Sequence, residues 1–81
     1  MKMNKYEGKA NIIGERVKEA RQNMKITQSE LAARLQTKNV NIEQKAISRI
    51  ENGERFVVDF ELLELSKILG VDANWLLTGI K

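Results

Sequence analysis

The sequence predicts an all-α domain of five short helices, and three observations carry that expectation. Apolar residues recur at helical spacing in five separate stretches, cap residues stand between those stretches, and no alternating strand pattern competes with them. The chain has 81 residues and no cysteine, histidine or proline. That length is near the lower limit at which a hydrophobic core folds unaided, which favours short helices packed around one centre. Without Cys or His, disulfides, zinc ligation, thiol nucleophiles and imidazole bases are all excluded.

In the first stretch Ile13, Val17, Ala20 and Met24 fall on one face of a helix that starts after Asn11. The second opens on Thr27-Gln28-Ser29-Glu30, a capping box in which hydroxyl and carboxylate satisfy reciprocal backbone donors; Leu31, Ala32 and Leu35 form its buried stripe. The polar run Gln36 to Glu43 then favours a loop. A third helix is expected to resume at Ile42 to Gln44, with Asn41 and Gln44 as a weaker capping pair and Ala46, Ile47 and Ile50 as its apolar face. Asn52-Gly53 ends it. Asp59 is positioned to cap a fourth helix bearing Leu62, Leu63, Leu65, Ile68 and Leu69 and closed by Gly70. Asp72 caps a last one, Ala73 to Thr78, before Gly79.

Charge is distributed unevenly. Residues 1–11 carry +2, residues 12–58 carry +3 and residues 59–81 carry −2, so a polyanion would meet the first two segments. Residues 1–11 read as a flexible basic arm around Tyr6, and residues 12–81 as the folded domain. No apolar run reaches the roughly 18 residues of a membrane span and no secretory pattern is present, so the expectation is a cytoplasmic protein without membrane contact. The glycines are scattered and form no phosphate-binding fingerprint, and no nucleophile has a base beside it. Neither an enzyme, nor a metal, cofactor or small-molecule site, is expected.

On the third helix the buried set leaves Gln44, Lys45, Ser48, Arg49 and Asn52 on the opposite side, with no acid after Glu43. Arg and Lys donate to guanine O6 and N7, Gln and Asn pair bidentately with adenine, and a Ser hydroxyl accommodates several base edges. A polar outer face is also what any amphipathic helix shows to water.

Thr27-Gln28-Ser29-Glu30-Leu31-Ala32 followed by Ile47-Ser48-Arg49-Ile50-Glu51-Asn52-Gly53 resembles the Cro/C1-type, or XRE, helix-turn-helix family of phage repressors. Gly14-Glu15-Arg16, Arg21, Leu69-Gly70-Val71 and Trp75-Leu76-Leu77 appear in the family's order, so the resemblance runs from about Ile13 to Gly79. It implies a five-helix phage-repressor-like domain that binds double-stranded DNA at a palindromic operator as a homodimer and regulates transcription, most often as a repressor. Gln44, Lys45, Ser48 and Arg49 then occupy base-reading positions. Gln28, at the start of the second helix, takes a phosphate, and Asn52, Gly53 and Arg55 form a loop that meets the backbone again. Arg21 and Glu51 match positions that form a partly buried ion pair. An antitoxin or a restriction-modification controller shares this fold, and a helical protein-interaction module is the reading from another class.

One departure stands out. Eleven residues, Gln36 to Ala46, separate Leu35 from Ile47, where the family uses a tight turn of about four between its helices. The extra residues, Thr37 to Asn41, extend the connection and put Lys38 within reach of phosphate. At the other end Trp75, Leu76, Leu77 and Ile80 crowd four large apolar side chains into six positions, which suits a dimer surface, completion of the monomer core, or both.

Overall fold

The computed structural model describes residues 4–81, so Lys2 of the expected arm lies outside the described residues. Five helices follow one another: α1 (Gly14–Asn23), α2 (Gln28–Gln36), α3 (Gln44–Glu51), α4 (Asp59–Leu69) and α5 (Ala73–Thr78). Helix α3 packs on α1 and α2, α4 covers the other side of those two, and α5 docks on α4. Each helix contributes to one core: Val17 and Ala20, Leu31 and Leu35, Ile47 and Ile50, Leu65 and Leu69, and Leu76; of the apolar surface expected on α4, Leu63 is exposed.

The local signals act as capping chemistry requires. Thr27 Oγ1 accepts from the Glu30 amide at 3.0 Å and Glu30 Oε1 accepts from the Thr27 amide at 2.9 Å, which fixes the start of α2. The Thr27 backbone N–H, and after it the Thr27 side chain, hold the Glu30 carboxyl below its ordinary pKa. Gly70 and Gly79 end α4 and α5 in the left-handed conformation.

Three expectations about helix boundaries are corrected. Helix α3 begins at Gln44 with Glu43 in the N-cap position and no side-chain cap, so Asn41 is not a capping residue. The reason is that Val40 and Ile42 are both drawn into the core, which holds this part of the chain extended until Glu43. At α4, Val58 rather than Asp59 takes the N-cap position, and Glu61 Oε1 accepts from the Val58 amide at 3.1 Å. Asp59 instead accepts from the next amide, that of Phe60, at 2.7 Å. Met24, expected on the buried face of α1, stands at its C-cap and is more than a third exposed.

Helix α1 approaches α3 closely enough that Gly14 has no room for a side chain: a Cβ there would lie against the Ile50 carbonyl oxygen and 2.9 Å from that of Glu51. The approach is held by Asn11. Its Nδ2 donates to the carbonyls of Ile50 (3.1 Å) and Arg55 (2.8 Å), while its Oδ1 accepts from the amides of Gly14 (2.8 Å) and Ile13 (3.2 Å). The same segment continues outward: the Ala10 amide donates to the Gly53 carbonyl at 2.8 Å, and Tyr6 and Lys9 exchange backbone bonds across a tight turn. Residues Tyr6 to Asn11 of the expected arm are thereby tied to the end of α3. Arg16 reaches the far end of α5, donating to the Leu76 carbonyl at 3.1 Å.

Candidate nucleic-acid interface

Helix α3 buries Ile47 and Ile50 and turns Gln44, Lys45, Arg49 and Asn52 to solvent, with Ser48 half-buried between them. The four residues read from sequence as base contacts therefore share one face. Lys45, Ser48, Arg49 and Asn52 make no side-chain hydrogen bond or ion pair within the described residues, so their donors point outward uncommitted. The one acid within α3, Glu51, is buried on the opposite side.

That buried carboxylate organises a polar chain across three helices. Arg21 of α1 donates from Nε to Glu51 Oε2 at 2.6 Å and from Nη2 to Oε1 at 3.1 Å, and its Nη1 donates to the Ile26 carbonyl at 2.9 Å. The side chains are 11% and 3% exposed, so the pair is held in a low-dielectric setting with its hydrogen-bonding capacity largely used. The Glu51 hydrogen bond raises the Arg21 pKa, which leaves the guanidinium charged at any relevant pH. Gln28 of α2 extends the chain, donating from Nε2 to Glu51 Oε1 at 2.9 Å and accepting at Oε1 from Gln44 Nε2 at 2.7 Å. The start of α2, where Gln28 sits, is thus fixed to the start of α3. No buried side-chain polar atom among the described residues lacks a partner.

The loop after α3 is arranged differently from expectation. Asn52 is exposed and Gly53 adopts φ 76°, a left-handed turn that glycine tolerates. Arg55, however, is turned back: its Nη1 and Nη2 donate to Glu61 Oε1 and Oε2 at 3.0 and 3.1 Å. A bidentate, half-buried pair commits the guanidinium to α4 and takes Arg55 out of the set of free phosphate contacts. Lys38 remains exposed on the connection between α2 and α3.

At α5 the four apolar residues separate. Leu76 is fully buried and Trp75 packs partly buried against the core, whereas Leu77 and Ile80 are 40% and 67% exposed. Of the exposed apolar residues on α4, Leu63 was counted from sequence in that helix's apolar surface, and Phe60 was not singled out. Nor were Glu61 and Asn11: Val58 has no polar side chain to complete a capping box with Glu61, so no local signal marked it.

A family model described as a helix-turn-helix domain matches residues 14–81. Among solved structures, the crystal structure of the P22 c2 repressor protein in complex with synthetic operator 9T in the presence of Tl+ is similar, with a TM-score of 0.74 and 31% sequence identity. The likeness covers 86% of this chain and 98% of that one. No curated protein matches the chain.

Proposed function

This chain belongs to the helix-turn-helix domain family, and from that premise we propose that it is a sequence-specific DNA-binding regulator of transcription, acting as a repressor. The observation that carries the reading is the uncommitted basic face of α3, set beside the first turn of α2 by the Gln44–Gln28–Glu51 chain. Such a face suits the donor and acceptor pattern of the major groove. Lys45, Ser48 and Arg49 read base edges, joined by Gln44. Gln28 takes a phosphate with the help of the helix dipole, and Lys38, Asn52 and the backbone at Gly53 take others. Residues 12–81 act as the binding unit, and the basic residues before them add charge.

A two-fold homodimer would read two half-sites about 34 Å apart, and exposed Leu77 of α5 and Ile80 just beyond it are free to meet a second copy. The family and fold are those of DNA-binding regulators rather than enzymes, and among the described residues no helix is long and apolar enough to cross a membrane. We place the protein in the cytoplasm, where its operator is.

The test is selection of bound sequences from a random duplex pool, followed by affinity against salt. The expected result is a short, imperfectly palindromic motif whose log affinity falls with log salt by about 0.9 for each phosphate neutralised. Absence of any enriched motif, or binding indifferent to salt, would overturn the proposal.

A further inference from the structure

The proposed function uses the long connection between α2 and α3 only through Lys38. It is built rather than slack. Backbone bonds from Lys38 and Val40 to the Leu35 carbonyl and from Asn39 to the Gln36 carbonyl fold its first half onto the end of α2. Asn39 takes the left-handed conformation at φ 60° that asparagine tolerates best among residues with a side chain. Val40 and Ile42 are then buried in the core, and between them the Ile42 amide donates to the Val40 carbonyl at 3.0 Å. That is a three-residue turn with Asn41 at its apex. Two inward neighbours leave the Asn41 side chain only the outward direction, and it is exposed and makes no hydrogen bond within the described residues.

A mere spacer needs no buried residues. This one uses two, and the result is a fixed amide three residues before Gln44, no more than about 11 Å of chain from the start of the reading helix. From Gln36 to Ile50 the only acid is Glu43. A carboxylate at that point would repel a phosphate but can accept from cytosine N4, so this edge of the surface favours base edges over backbone. An asparagine amide has one donor and one acceptor side by side, the pattern that matches adenine N6 and N7.

We propose that Asn41 reads a base edge in the major groove, adding one specified base pair to each half-site beyond those read by α3. This rests on the DNA-binding reading above. The loop therefore enlarges the operator as well as spacing the helices.

The experiment is bound-sequence selection with the full chain, its Asn41→Ala and Asn41→Asp variants, and Arg49→Ala for comparison. The expected result is that both Asn41 variants lose preference at one base pair per half-site, different from the position relaxed in Arg49→Ala. In Asn41→Ala, affinity for the wild-type motif should fall roughly tenfold, and by much less on a duplex already changed at that pair. Asn41→Asp keeps the shape of the side chain but adds a charge that weakens binding on every duplex, so the lost base preference shared with Asn41→Ala, and the affinity pattern of Asn41→Ala alone, report the missing amide. Variants that select the wild-type motif with equal stringency would overturn the inference while leaving the DNA-binding reading in place. A uniform loss on every duplex in Asn41→Ala would overturn it too, by making Asn41 a backbone contact. A wild-type chain that enriches no motif would take down both.

Discussion

Removing the Arg21 side chain should damage stability far more than it damages base preference. In Arg21→Ala the Glu51 carboxylate, 3% exposed, keeps only the Gln28 amide as a partner and loses two guanidinium bonds of 2.6 and 3.1 Å. The Ile26 carbonyl loses its donor as well. Breaking a buried pair by deleting one partner costs about 3 to 5 kcal/mol, because a charge is left in a poor solvent. A chain of 81 residues has a total stability on the order of 4 to 12 kcal/mol, so the loss is a large share of it. For a domain of this size each kcal/mol moves the melting temperature by about 4 to 8 °C, which places the shift on the order of 20 °C. Circular dichroism at the helical minimum, followed through thermal and urea unfolding, measures it directly. An apolar replacement of both residues, Arg21→Met with Glu51→Leu, should recover most of the loss, since no buried charge then remains. A melting shift of less than about 4 °C in Arg21→Ala, the level of an exposed ion pair, would refute the reasoning. Below its own melting temperature the variant should still select the wild-type motif.

Three other outcomes are expected. Gly14→Ala should lower the urea midpoint by an amount corresponding to about 1 to 3 kcal/mol despite the better helix propensity of alanine, because the new Cβ meets the Ile50 and Glu51 carbonyls; an unchanged or raised midpoint contradicts this. Leu77→Asp with Ile80→Asp should shift sedimentation toward monomer with little change in helical content, whereas Leu76→Asp should unfold the chain, since it alone of the three is buried. The capping box should respond to pH. The Glu30 carboxyl is held below its unfolded value, so its stabilisation is present above about pH 4.3 and is lost as pH falls through the lowered folded value. The melting difference between wild type and Glu30→Ala should therefore narrow on acidification, and a widening difference contradicts the assignment.

What the sequence made legible follows the range of each interaction. The Thr27–Glu30 box, the Gly70 and Gly79 caps and the stripes of α1 to α4 depend on neighbours within four residues, so periodicity and cap chemistry suffice to find them. Val40 and Ile42 escaped because two apolar residues in a polar stretch have no period to read, and only packing decides that they turn inward. Arg55 was assigned to phosphate on its loop position. Its pairing with Glu61 depends on the direction in which α4 leaves that loop, which no local pattern specifies. Asn11 acts on Ile50 and Arg55 about 40 residues away, beyond any sequence window. For Trp75, Leu76, Leu77 and Ile80 the sequence left a dimer surface and completion of the core both open, because a helix of six residues is too short for its spacing to separate a buried face from an exposed one.

The polar chain beneath α3 has a consequence for recognition that follows from counting donors. A glutamine amide has two N–H groups and an oxygen with two lone pairs. Gln28 uses one N–H on Glu51 and accepts one bond from Gln44, which leaves its second N–H for a phosphate. Gln44 uses one N–H on Gln28 and keeps the other with its whole oxygen, the donor and acceptor that an adenine edge requires. The network therefore fixes the orientation of both amides without consuming what the proposed contacts need. In the proposed complex Gln44 would meet DNA already oriented, so less side-chain freedom is lost on binding than for Lys45 or Arg49, which are held by nothing until the groove holds them. The division runs through the whole interface: Arg21, Gln28 and Glu51 set the position of the reading helix, and Lys45, Ser48 and Arg49, which take no part in that network, are the residues proposed to face the bases.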